Sequence, residues 1–250
     1  MFTPIPEEWT ELRPRALEAV ETQTSVFRPA SSYPHFSLGF PPLDSLLRPF
    51  PFRFTTMISG QAASAVAELA AFRAQLPVEM GGLDSAVVFI DGGNRSDPYL
   101  FSSFARQYGY KPNAAMRRIA TCRVFTMYQL ADLISEHLAK VVADYAAKLV
   151  VVSDLLGTFN EPELEEMEAR RLLNSIEQTI ILTKKNTMVL VTLMSPSKYD
   201  NMALSWADTA INLVQTGDRM CAQLLKHPSK PPTTSTFRLN QLLVPTKAIR

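Results

Sequence analysis

The residues that invite a chemical reading first are Gly60-Gln-Ala-Ala-Ser-Ala65-Val66-Ala67, which follow the apolar run Phe54-Thr-Thr-Met-Ile-Ser59. A strand, a turn of small residues at Gly60 and then a helix is where a phosphate-binding loop sits, written Gly-x-x-x-x-Gly-Lys-Ser/Thr. The first glycine is present as Gly60. Ala65 stands in place of the second glycine, Val66 in place of the lysine and Ala67 in place of the hydroxyl residue. The lysine would bring positive charge to the β- and γ-phosphates, and the hydroxyl would hold magnesium. Neither valine nor alanine can do that work. What is left is a helix start whose backbone N–H groups can attract an anion without neutralising it.

Two further strands end in residues of the right type. Ala86-Val-Val-Phe-Ile-Asp91 runs into Gly92-Gly93, and Lys148-Leu-Val-Val-Val-Ser153 runs into Asp154. Continuous apolar runs of this kind read as strands buried on both faces of a parallel sheet. Thr187-Met-Val-Leu-Val-Thr-Leu193 is a third. Between them, Tyr99 to Tyr108 and Met127 to Ala146 have helical periodicity, the latter through Leu130, Leu133, Ile134, Leu138, Val141 and Val142. A further helix passes through Leu172, Leu173, Ile176 and Ile180. Ile211–Val214, Met220–Leu225 and Thr236–Leu239 read as short strands of an antiparallel meander. Strands that alternate with helices and then give way to short strands predict an α/β fold with a mainly parallel central sheet.

Residues 1–36 have a different texture. Glu7 to Val20 can form an amphipathic helix through Trp9, Leu12 and Leu17, interrupted by Pro14, and a polar, proline-containing stretch follows. Within that stretch Phe27-Arg-Pro-Ala30 places a phenylalanine on an extended arm, to fold back on its own core or to enter a partner. The expected division is an arm over 1–36 and a core over 37–250.

Composition narrows the class. The chain has 250 residues, a net charge of +1 and 46% hydrophobic residues, enough for one substantial core and without the basic excess of a dedicated nucleic-acid binder. Charged residues interrupt every apolar run, so no membrane span is expected, and a cytoplasmic location follows as the expectation (nucleoid-associated in a prokaryote). Cys122 and Cys221 flank no partner motif, and His35, His137 and His227 lack metal-ligand spacing. No cofactor and no metal is expected.

Taken in order, these pieces resemble the RecA/RadA recombinase family. Ser37-Leu-Gly39-Phe-Pro-Pro-Leu43-Asp44-Ser-Leu46-Leu47 is similar to that family's entry to its core, and Val-Val-Phe-Ile-Asp91 to its Tyr-Ile-Asp-Thr-Glu strand. Leu149–Asp154 falls at its second acidic motif, Thr187–Leu193 at its Asn-Gln strand, and Ala207–Leu213 with Arg219–Pro228 at its closing strands. The resemblance spans residues 37 to 240 and implies a RecA-like core with a C-terminal antiparallel extension.

The resemblance also locates departures. The water-activating glutamate aligns with Gly93, the magnesium aspartate with Ser153 and the γ-phosphate sensor with Leu193. Asp154 lies one residue beyond, where strand alternation would turn it to the other face. With Gly60, Ala65, Val66 and Ala67, these positions imply a degenerate nucleotide site and no catalytic residue. The family's first DNA loop aligns with the acidic Asn160–Glu166. Its second is shortened to Met194–Asn201, where Lys198 and Tyr199 are the residues able to touch a single strand, alongside the dibasic Arg117 and Arg118. The Phe-x-x-Ala pattern of Phe27 and Ala30 matches the family's motif for docking into a neighbouring protomer.

The leading expectation is a non-ATPase paralogue that acts as partner, scaffold or modulator of a RadA-type recombinase, or of another paralogue, in recombination and repair. Homo-oligomerisation through the same arm stays open. So do an ATP-independent single-stranded DNA-binding accessory factor and a nucleotide binder completed by a partner in trans.

Overall fold

The structure is a computed structural model that describes residues 36–47, 53–160 and 165–243. Phe27, Ala30 and Glu161–Glu163 lie outside these residues. A single eight-stranded sheet organises the chain. Its strands are β1 (Thr55–Ser59), β2 (Val87–Asp91), β3 (Ile119–Arg123), β4 (Leu149–Ser153), β5 (Met188–Leu193), β6 (Thr209–Thr216), β7 (Arg219–Lys226) and β8 (Thr233–Arg238). They lie in the order β3-β2-β4-β5-β1-β6-β7-β8. All neighbours from β3 to β6 are parallel, and β7 and β8 add on antiparallel. This is the α/β class the alternating pattern predicts. The three C-terminal strands form the expected antiparallel meander at one edge, and β6 joins it to the rest of the sheet by pairing parallel with β1.

The sheet is the middle of three layers. Leu149 and Val151 of β4 face α1 (Pro41–Leu47), α2 (Ala63–Arg73) and α3 (Pro98–Gln107), through Leu43, Leu47, Leu69, Phe72 and Phe104. Val150 and Val152 face the opposite way. They meet α5 (Met127–Asp132), which continues through one π-turn at Leu133–His137 into α6 (Leu138–Asp144), and α7 (Glu166–Thr183). Alternation along strands of Val, Leu and Ile thus supplies both cores, which explains the continuous apolar runs. Three short helices are also present among the described residues, α4 (Pro112–Met116), α8 (Asp200–Ser205) and α9 (Leu239–Leu243). The structure also trims the expected helix over 127–146. It ends at Asp144, and Ala146 turns left-handed with φ 46°.

The helix ends follow local chemistry. Asp97 caps α3 by accepting the Tyr99 N–H at 2.8 Å, with Pro98 as the first helical residue. Thr126 Oγ1 accepts the Gln129 N–H while Gln129 Oε1 accepts the Phe125 N–H, a reciprocal cap on α5. The Leu43-Asp44 pair has a physical role too. The buried Asp44 carboxylate accepts from Ser37 Oγ and from the N–H groups of Leu38 and Phe40, at 2.8 to 3.0 Å, and so folds the entry segment onto α1. Helix α2 is alanine-rich and buried on nearly every side, because small side chains let it lie close against the sheet. Among the described residues, no helix is long and apolar enough to cross a membrane.

Candidate functional site at the strand exits

Gly60, Gly93, Ser153, Asp154 and Leu193 converge on the carboxyl edge of the parallel strands, where α/β sheets usually bind ligands. β1 ends at Ser59 and the chain turns at Gly60, whose φ is +106°. Helix α2 then starts at Ala63, so only Gln61 and Ala62 lie between. The Ala63 N–H donates to Gly60 O at 3.0 Å and the Val66 N–H to Ala62 O at 3.2 Å. A phosphate cradle needs successive N–H groups free and pointing inward. Here the helix has taken up the Val66 amide, and Ala65, Val66 and Ala67 belong to its first two turns. Val66 and Ala67 have no solvent exposure and pack in the apolar layer.

Gly60 holds this turn for two independent reasons. Its positive φ favours glycine, and a Cβ built there would overlap the carbonyl of Leu213 on β6. Its N–H donates to Leu193 O at 2.9 Å, so the turn stitches β5, β1 and β6 together. Gly60→Ala is expected to lower stability by about 2 kcal/mol or more through backbone strain, read as a lower midpoint in urea unfolding.

Across the strand exits the residues form a row. Asp91 pairs in register with Ser153, and Thr192 of β5 sits next in line. All three are fully buried. Asp91, the surviving acid, is wholly engaged. One oxygen accepts the Arg95 N–H at 3.0 Å, the other accepts from Ser96 N and Oγ, and the Arg123 Nε lies 3.3 Å away. It anchors the β2–α3 connection. Ser153 Oγ has no hydrogen-bond partner, and a serine hydroxyl is in any case a weak substitute for a metal-holding carboxylate.

Asp154 does not follow the alternation argument. It lies past the end of β4 with φ 51°, so the pleat no longer sets its direction. The left-handed turn carries its carboxylate across the strand exits to Gly93. There it occupies the space a side chain at position 93 would need, and it also comes within 2.8 Å of where a Gly157 Cβ would lie. Oδ1 accepts the Met194 N–H at 3.0 Å, and Oδ2 lies 3.9 Å from Arg95 Nε. Burial raises the carboxyl's affinity for its proton, partly offset by the Met194 N–H and Arg95. A side chain at position 93 and the Asp154 carboxylate in this position are thus mutually exclusive.

Sequence reasoning missed Glu68. It sits on α2 one residue past Ala67, is 3% exposed, and points at the β2–α3 connection. Oε1 accepts the Asp97 N–H at 2.7 Å, while Oε2 is buried without a partner. Burial first, then the charges of Asp97 and Asp91, carry its pKa from 4.5 up to about 8, against the lowering effect of the Asp97 N–H. The signal that could have found it is a lone acid inside Ala65-Val-Ala-Glu68-Leu-Ala-Ala71. Among the described residues no group of three or more His, Cys, Asp or Glu could hold a metal ion.

The residues proposed to touch DNA are not brought together. Arg117 and Arg118 precede β3 and lie at the amino edge of the sheet, whereas Lys198 and Tyr199 follow β5 at the carboxyl edge. Arg118 is engaged with Gln75 O at 2.9 Å and with Asp84 at 3.0 Å. Tyr199 is 1% exposed. Its ring packs edge-on to Phe159 with centroids 6.3 Å apart, and Lys198 Nζ stands 5.2 Å from its centroid. A tyrosine so placed is a core residue, not a stacking platform for a base. Leu193, at the sensor position, is likewise buried in the apolar layer.

A family model described as Rad51 matches residues 55–190, more than half of the chain, from β1 into β5. The matched span contains Gly60, Gly93, Ser153 and Asp154.

Proposed function

This chain belongs to the Rad51 family, and from that premise we propose that it is a non-catalytic member that serves as a partner, scaffold or modulator of an active recombinase in homologous recombination and DNA repair. Family membership carries a recombinase-related role. The finer reading is supported by one observation above others: at the strand exits the chain after Gly60 is wound almost at once into helix α2, and a carboxylate of the protein itself lies against Gly93. Helix α2 begins at Ala63, where a cradle would open, and the Asp154 carboxylate takes the position 93 space. Val66 and Ala67, at the lysine and hydroxyl positions, are buried in the core. With no chemistry to perform at this edge, the protein acts through contacts, and Phe27 with Ala30 supplies an apolar anchor and a small neighbour on the arm.

The test is capture. A tagged chain expressed in its own cells is expected to bring down a Rad51-family recombinase or paralogue, and Phe27→Ala is expected to remove most of it. A purified recombinase that binds the Phe27→Ala chain as well as the unaltered one would rule out docking through the arm. Absence of any family member from the captured proteins would count against the partner role itself.

A further inference from the structure

Asp154 is held at a price that packing alone does not explain. A non-glycine residue at φ 51° is uncommon, and its carboxylate is 3% exposed. Such a strained, buried acid persists only where its surroundings over-determine it. Here they do so from three sides. The Asp154 N–H donates to Thr192 Oγ1 at 2.8 Å and the Leu155 N–H to Thr192 O at 2.9 Å, which fastens the β4 exit to β5. Oδ1 accepts the N–H of Met194, the first residue past β5. The Gly92 N–H donates to Ser153 O at 2.8 Å, and the carboxylate rests on Gly93 beside Arg95. One side chain therefore touches the exits of β2, β4 and β5, and the segment that begins at Met194 runs directly to the packed Phe159–Tyr199 pair.

We infer that Asp154 is a positioning residue that serves as a permanent internal strut, fixing the segment 194–199 against the β2–α3 connection so that the carboxyl edge of the sheet keeps one arrangement without any nucleotide. The inference rests on the proposed nucleotide-free reading and adds to it the means by which the edge is held. The strut crosses the gap between three strand exits, as a ligand seated there would, but is built into the chain.

Hydrogen–deuterium exchange on the full-length protein tests it. In Asp154→Ala, exchange at Met194 and over 195–199 is expected to rise roughly tenfold, the effect of losing one hydrogen bond, with exchange in β7 unchanged. Asp154→Asn keeps the Met194 acceptor and is expected to retain most of the protection. Gly93→Ala, which pushes the carboxylate aside while leaving Asp154 in place, is expected to reproduce the release, and it serves as the test if Asp154→Ala does not fold. Unaltered exchange at Met194 in folded Asp154→Ala or Gly93→Ala would overturn the strut. Magnesium-ATP is expected to leave exchange over 60–68 and 194–199 unchanged in the unaltered chain. Slowing over 60–68 would overturn the nucleotide-free reading, and slowing confined to 194–199 would overturn permanence.

Discussion

Val66→Lys is expected to unfold the protein's nucleotide-loop region and not to return a phosphate-binding lysine. Val66 has no solvent exposure and packs with Ala63, Leu69 and Ala70 between α2 and the sheet. An ammonium at that position must be desolvated, and the nearby acid Asp91 is already saturated by Arg95, Ser96 and Arg123. Burying an unpaired charge costs roughly 3–5 kcal/mol, which lowers the melting temperature of a chain this size by about 10 °C or more. The combined variant Ala65→Gly, Val66→Lys, Ala67→Thr carries the full family pattern and is still expected to turn over no ATP. Its lysine would start from a helix already wound from Ala63, and Gly93 and Ser153 would still lack their carboxylates. Thermal melts and a phosphate-release assay on the two variants check both halves. Turnover by the combined variant would mean that the turn at Gly60 opens in solution.

Glu68→Gln is expected to stabilise the protein, and increasingly so as pH rises. In the unfolded chain Glu68 gives up its proton near 4.5, whereas in the folded state it keeps the proton to about 8. Between those values the folded state binds more protons than the unfolded state, so stability falls as pH increases through that window. Below it both states are protonated and the glutamate costs nothing. Above it the folded state holds a carboxylate beside Asp91 and Asp97. The glutamine variant keeps an acceptor for the Asp97 N–H and has no charge to bury. Its advantage is expected to be small at pH 4.5 and to reach about 2–4 kcal/mol at pH 8.5, an order-of-magnitude conversion of the raised pKa. Paired urea titrations at the two pH values measure it. An advantage independent of pH would assign the effect to packing, and a destabilised variant would show that the glutamate is paired in solution.

Much of this molecule is legible before folding is considered. Strands such as Val87–Asp91 and Leu149–Ser153 announce themselves as β-branched runs because both of their faces are buried. Val66, Gly93 and Ser153 can be matched to positions of the family pattern because the spacing of their strands is intact. What the sequence conceals is geometric. The helix start at Ala63 depends on how closely alanines can approach the sheet, and no local signal distinguishes it from an open loop. Asp154 escapes the alternation rule because it lies just past the strand, where a single left-handed residue redirects the side chain. Tyr199 looks available on a short polar loop, yet it packs against Phe159, a contact 40 positions away in sequence. Arg117, Arg118, Lys198 and Tyr199 share a chemistry but sit at opposite edges of one parallel sheet, which only strand direction reveals.

With helix α2 starting at Ala63 and the Asp154 carboxylate against Gly93, the strand exits are expected to hold no nucleotide. The most direct measurement is calorimetric titration of the purified chain with magnesium-ATP, alone and with its captured partner, alongside a phosphate-release assay. No saturable heat and no phosphate above the buffer rate are expected in either case. Saturable binding at micromolar ATP by the chain alone, or release of phosphate that Gly60→Ala abolishes, would contradict it.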